Sequence, residues 1–115
     1  EINVDVICKR LDELMKDQKI YLDDELRLSS LAEELSITPH QLSRILNETF
    51  KKNFNEFINS YRIAEAENLL LADTKRSVLS IAYEVGFNSK GTFNSQFLKI
   101  TGLRPSEYRE KKTKL

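Results

Sequence analysis

Apolar residues recur at helical spacing along most of the chain and almost nowhere alternate one in two. Val4, Ile7, Leu11, Leu14 and Met15 share one stripe and predict a first helix near 3–17. The segment 19–28 reads as a loop carrying the acidic run Asp23-Asp24-Glu25. A short helix over 31–35 is expected next, capped by Ser29 or Ser30. Thr38-Pro39-His40-Gln41 is a stronger start. Thr38 suits the N-cap, Pro39 the first helical position, and Gln41 the closing position of a capping box. That helix is expected to reach about Phe50. Asn53 and Glu56 form a second capping box. It opens a long helix ending near Ala72, with Phe57, Ile58, Tyr61, Ala64, Leu69 and Leu70 among its apolar positions. Ser77 starts a helix through Val85, and Gly86 suits its left-handed C-terminal position. Asn88 or Ser89 caps a further helix that runs to Thr101 and stops at Gly102. Pro105 opens a last one, whose basic end (Lys111, Lys112, Lys114) is expected to fray. With three glycines and no Asn-Gly or Asp-Gly turn, strand signals are weak. The fold class is all-α, with about seven helices.

The pattern contains a repeat. Leu31-Ala32-Glu33-Glu34-Leu35-Ser36-Ile37 matches Ile81-Ala82-Tyr83-Glu84-Val85-Gly86-Phe87 position by position. With one residue inserted in the turn, Leu42 then matches Phe93, Leu46 matches Phe97, and Glu56-Phe57 matches Glu107-Tyr108. Each unit has the logic of a helix-turn-helix. A small residue (Ala32, Ala82) lets the second helix cross closely, and another (Ser36, Gly86) suits the tight turn. An apolar residue (Ile37, Phe87) plugs the angle. The second helix buries one face, Leu42, Ile45, Leu46 and Phe50 in the first copy and Phe93, Phe97 and Ile100 in the second. Its other face is polar. The joining helix, residues 54–72, spans roughly 28 Å at 1.5 Å per residue. That is near the roughly 34 Å turn of B-DNA, so two second helices held this way suit successive major grooves on one face of a duplex. Residues 1–52 are expected to hold the first helix and first helix-turn-helix, 53–73 the linker helix, and 74–115 the second helix-turn-helix and C-terminal helix.

Charge refines this picture. Lysine plus arginine and aspartate plus glutamate number 18 each, so the net charge is zero. The halves differ, however: residues 1–40 carry −5 and residues 41–115 carry +5. This asymmetry allows a basic face toward a polyanion and an acidic face turned elsewhere. The lone Cys8 permits no internal disulfide, which fits a reducing, cytoplasmic compartment; packing is the ordinary role for such a thiol, reactivity the alternative. No apolar run is long enough for a membrane span. The first residue is Glu1 rather than Met, and a fragment of a longer protein is expected. No Gly-rich phosphate loop, Ser/His/Asp or Cys/His set, or clustered metal ligands argue for an enzyme, and no cofactor is expected. The acidic run could be a metal loop but lacks further carboxylates at ligand spacing, and a solvated turn is the simpler reading.

IAYEVGFNSKGTFNSQFLKITGLRPSEYR resembles the second helix-turn-helix of the AraC/XylS family of bacterial transcription regulators. LAEELSITPHQLSRILNETF followed by NSYRIAEAENLLL resembles that family's first helix-turn-helix and linker helix. The likeness covers about residues 5–110. The wording of YLDDELRLSSLAEEL and FINSYRIAEAENLLL is similar to regulators of the Bacteroidetes type. The resemblance implies the C-terminal DNA-binding domain of a larger regulator, usually an activator. Its partners would be double-stranded DNA and RNA polymerase, and a sensing or dimerisation part would precede residue 1.

At 100° per residue, His40, Arg44, Asn47 and Lys51 point away from the apolar face of the first reading helix, flanked by Gln41 and Ser43. The family pattern places base-reading positions at His40, Gln41, Ser43 and Arg44. Arg44 is the best candidate, since bidentate arginine to guanine is the commonest specific contact; the alternative is a surface ion pair with Glu48. A metal-ligand role for His40 lacks partners. In the second reading helix the family positions are Lys90, Gly91, Thr92, Asn94 and Ser95. Gly91 has no side chain to read with, and Ser95 stands where the family often has Arg, so weaker discrimination is expected here. Gly91 could alternatively allow close approach to a phosphate or a thymine methyl. Phosphate contacts are assigned to Asn47, Lys51, Lys52, Lys99 and Arg104, with Lys90 and helix-start amides contributing. Arg104 replaces the family's usual Thr cap. Arg62 is open between a structural ion pair and a DNA contact, while Phe57 and Tyr108 are read as core. The rival reading is a helical protein-interaction module on the same fold with weak non-specific DNA binding. RNA binding lacks an exposed aromatic platform.

Overall fold

The computed structural model describes residues 2–113, so Lys114 of the basic tail lies outside the described residues. Seven α-helices and no strand occur among them. They are α1 (Val4–Lys16), α2 (Leu28–Glu34), α3 (Pro39–Ile45), α4 (Phe54–Ala72), α5 (Val78–Glu84), α6 (Lys90–Thr101) and α7 (Pro105–Thr113). They make an elongated body of 51 × 24 × 23 Å.

Local chemistry sets most of the boundaries. Thr38 Oγ1 accepts from Gln41 N at 3.1 Å while Gln41 Oε1 accepts from Thr38 N at 2.9 Å. Asn53 and Glu56 make the same reciprocal pair at 2.8 and 2.9 Å. Ser77 caps α5, and of the two candidates at α6 it is Ser89 that accepts from Thr92 N. Gly102 ends α6 at φ +83°.

Three expectations are corrected. The second helix begins at Leu28, not residue 31, and its N-cap position is Arg27, so neither Ser29 nor Ser30 is the cap. Ser30 sits in the first turn, and its hydroxyl reaches back to both the N–H and the C=O of Arg27. The loop 19–28 opens with Lys19 at φ +48° and a 3₁₀ turn, Ile20–Leu22, that buries Tyr21. Beyond Ile45 the third helix widens into a π segment, Leu46–Phe50, ended by Lys51 at φ +58°. Residues there no longer advance by the α-helical step, so the 100° wheel does not locate Asn47 and Lys51. The acidic run is a solvated turn, with Asp23 Oδ1 accepting from Glu25 N.

Two apolar cores form, and α4 serves both. Ile7, Leu11, Leu14, Met15, Leu31, Leu42 and Leu46 pack with Phe57 and Ile58 from the first half of α4. Ile81, Ala82, Val85, Phe87, Phe93 and Phe97 pack with Ile63, Ala66 and Leu70 from its second half. Each fully buried aliphatic or aromatic side chain contributes about 1.5–3 kcal/mol. Aromatic rings run through each core: Phe50–Phe57–Tyr61–Tyr21 in the first, Phe87–Phe93–Phe97–Tyr108 in the second. Phe57 and Tyr108 are therefore packing residues. Two expected apolar positions face outward. Ala64 is exposed, its place taken by Ile63 and Ala66. Ile100 is 45% exposed, and Thr101 is the half-buried position of that last turn.

Candidate nucleic-acid interface

The repeat read from the chain is a repeat in space. In the first copy, Ile37 N donates to Ala32 O at 3.0 Å and Ser36 N to Glu33 O at 3.0 Å. In the second, Phe87 N donates to Ala82 O at 3.0 Å and Gly86 N to Tyr83 O at 3.2 Å. Both turns thus end a short helix with the same pair of backbone bonds, closed through a left-sided residue (Ser36 at φ +57°, Gly86 at φ +108°). Helices α2–α3 and α5–α6 are two helix-turn-helix units, each presenting its second helix.

On α3, His40 and Arg44 are exposed, while Gln41 and Ser43 are half-buried. Gln41 already spends its carbonyl oxygen on the cap. Arg44 Nε lies 3.1 Å from Glu48 Oε2, with the two side chains 73% and 62% exposed. The ion pair weighed against DNA reading therefore exists. Exposed pairs of this kind are worth about 0.2–1 kcal/mol, so Glu48 holds Arg44 only weakly. Asn47 Nδ2 donates to the Ser43 carbonyl, which holds it along the helix rather than extended.

On α6, Lys90, Gly91, Asn94 and Ser95 line one open groove together with Leu98 and the start of α7, Arg104–Ser106. Five of the expected contact residues are thus brought together. Thr92 is not among them. It accepts from Ser89 Oγ at 2.9 Å and faces a different cleft, beside Asn55, Asn59, Asn88 and Gln96. The Ser95 hydroxyl donates to Thr92 O. A Cβ added at Gly91 would meet nothing within 4 Å, so the fold does not require glycine there. Arg104 cannot cap α7 with its own side chain, but Glu107 Oε1 accepts from Arg104 N at 2.9 Å and recovers half of the capping box.

Some basic side chains are paired and others are not. In the basic half, Arg44 pairs with Glu48 and Arg76 with Glu84. Arg10, Lys16 and Lys19 of the acidic half pair with Glu13 and Glu34, Asp12, and Glu65 respectively. Among the described residues, Lys51, Lys52, Lys90, Lys99 and Arg104 are exposed and form no ion pair within 4.0 Å. These cations are available to an anionic partner. Burial, then the neighbouring Asp5 carboxylate, push the Cys8 thiol up, which keeps it protonated and slow to react at neutral pH. No group of three or more His, Cys, Asp or Glu side chains among the described residues is placed to hold a metal ion. No helix there is long and apolar enough to cross a membrane.

Two arginines have partners that the sequence left open or did not mark. Among the described residues, Arg62 forms no ion pair within 4.0 Å. Its Nε donates to Tyr21 O at 2.7 Å and its Nη2 to Asp23 O at 2.8 Å. Burial pulls this guanidinium down from its ordinary value, and Asp24 and Asp23 oppose the shift; it stays charged at any working pH. Arg109, not singled out from the sequence, donates to the carbonyls of Leu70, Arg76 and Asp73 and ties down the loop before α5. The available signal was its place beside core residue Tyr108, in the repeat's Glu107-Tyr108 step.

Two tandem helix-turn-helix units sharing one long helix, each with an exposed polar reading helix, define a DNA-binding domain of transcription regulators. A family model described as a helix-turn-helix domain matches residues 31–111. The chain belongs to the AraC/XylS family of regulators. It is 31% identical over 88 residues to the melibiose operon regulatory protein of Escherichia coli K12, covering 76% of this chain and 29% of that one. It is 28% identical over 104 residues to the arabinose operon regulatory protein of Salmonella typhimurium, covering 86% and 37%. The C-terminal domain of AraT, a response regulator from Geobacillus stearothermophilus, superposes with a TM-score of 0.81 at 30% identity, covering 91% of this chain and 84% of that one. The chain spans about a third of the length of these two operon regulators.

Proposed function

We propose that α3 and α6 enter successive major grooves on one face of double-stranded DNA and read sequence unequally. The observation that carries this is the doubled turn geometry, which sets two exposed reading helices on the two ends of α4. His40, Gln41, Ser43 and Arg44 are the base-reading set of the first copy, with Arg44 the principal discriminator. Lys90, Gly91, Asn94 and Ser95 form that of the second, and Thr92 contributes from its flank. Asn47, Lys51, Lys52, Lys99 and Arg104 hold phosphates. The second copy discriminates less, since Gly91 offers no side chain and the Ser95 hydroxyl is engaged with its own helix. Residues 1–52, 53–73 and 74–115 act as first reader, linker and second reader. The family resemblance supports a regulator, most often an activator, that works with RNA polymerase and carries a sensing or dimerisation region ahead of this one.

Selection of bound duplexes from a random pool at about physiological salt tests the reading. Two short motifs with centres about 10 base pairs apart are expected. A single motif would leave only the Arg44 copy as a reader. No enrichment even at low salt would favour the protein-interaction module instead.

A further inference from the structure

Arg62 stands midway along α4, between Phe57 and Ile58 of the first core and Ile63 and Ala66 of the second. It is half-buried, and its contacts reach both cores, through Tyr21 of the first and Phe87 of the second. Its fork holds the Tyr21 and Asp23 carbonyls, which lie ahead of the first helix-turn-helix. Its guanidinium carbon lies 5.8 Å from the centre of the Phe87 ring, in the turn of the second. Gly86 abuts the same point. A Cβ there would overlap the Tyr21 carbonyl oxygen and sit 2.6 Å from Arg62 Nε. Loop, joining helix and second turn therefore meet at one guanidinium. An arginine serving one core alone would not reach across the junction. Lysine, with a single ammonium and no planar fork, cannot hold two carbonyls and cover a ring at once.

We infer that Arg62 is a positioning residue that sets the angle between the two helix-turn-helix units, so that both reading helices meet DNA together. It touches no base in this role. The inference rests on the two-reader arrangement proposed above. Binding through two rigidly related readers gains from high effective concentration, which a loosened junction forfeits.

Two measurements test it, on Arg62→Lys and Arg62→Gln variants checked for helicity by circular dichroism. The first needs no DNA. Spin labels on cysteines replacing Glu33 and Lys111, in a Cys8→Ser background, report the distance between the copies. A narrow distribution is expected in the parent, and a broadened or shifted one in both variants. The second compares affinity for the selected two-motif duplex with affinity for duplexes keeping either motif alone. The variants should lose about tenfold or more on the two-motif duplex and stay within about twofold on each single motif. Unchanged distances overturn the inference, as does an equal loss on all three duplexes, or an Arg62→Lys variant matching the parent. A parent that selects no duplex removes the two-reader reading, and the distance measurement then decides on the clamp alone. If Arg62→Gln does not fold, Arg62→Lys carries both comparisons, since it keeps the charge.

Discussion

Gly91→Ala should stabilise the protein while weakening its grip on DNA. Gly91 is the second residue of α6, its backbone is ordinary helix, and an added Cβ meets nothing within 4 Å. No steric term opposes the methyl. What changes is the unfolded chain, which loses backbone freedom worth about 0.5–1 kcal/mol. At about 2.1 cal/mol/K per residue, 115 residues unfold with an entropy of about 0.24 kcal/mol/K. The expected rise in Tm is therefore about 2–4 °C, nearer the lower value because the first turn of a helix is incompletely bonded. Differential scanning calorimetry reads this directly. The same methyl lies in the groove shared with Lys90, Asn94 and Ser95. If DNA backbone or a thymine methyl packs against that bare helix surface, overpacking costs about 1–3 kcal/mol, or roughly 5- to 150-fold in Kd. Opposite signs in the two assays separate a contact from a folding effect. A fall in Tm would refute the open-space argument. A rise in Tm with unchanged affinity would remove close approach at Gly91 and leave its missing side chain as the only reason for weak reading.

Arg44→Ala should cost about 1–3 kcal/mol of binding, concentrated at one base pair; Glu48→Gln should tighten binding and lower Tm by no more than about 4 °C, since the exposed pair it breaks is weak. An Arg44 loss spread evenly over all sequences would take that residue off the base-reading set. Lys51→Ala should reduce the slope of log affinity against log salt by about 0.9 without altering the preferred motif, as titrations across salt concentrations would reveal. Gly86→Ala should destabilise the protein by about 2–4 kcal/mol, since its φ of +108° and the adjacent Tyr21 carbonyl both exclude a side chain. Urea unfolding measures that loss, and a change below about 1 kcal/mol would mean the turn relaxes easily.

Much of this architecture is local and therefore readable along the chain. Capping boxes at Thr38–Gln41 and Asn53–Glu56 involve groups three residues apart, so residue type and spacing alone specify them. The twofold recurrence of Ala32…Ser36-Ile37 and Ala82…Gly86-Phe87 was legible for the same reason, because a turn closed over six residues carries its requirements within them. Exposure of Lys90 and Arg104 followed from their polarity. Tertiary structure decided the rest. Ser30 reads equally well as a cap or a first-turn residue, and only the start of α2 at Leu28 resolves it. The third helix widens into a π segment after Ile45, which the α-helical period of its apolar residues did not mark. Thr92 parts from its neighbours because the cleft beside it is built by α4. Arg62 shows the limit most clearly. Its side chain could have met a carboxylate, a phosphate or a carbonyl. The partners it has, Tyr21 and Asp23, lie 41 and 39 residues away and offer backbone oxygens, which every residue carries and no sequence pattern marks.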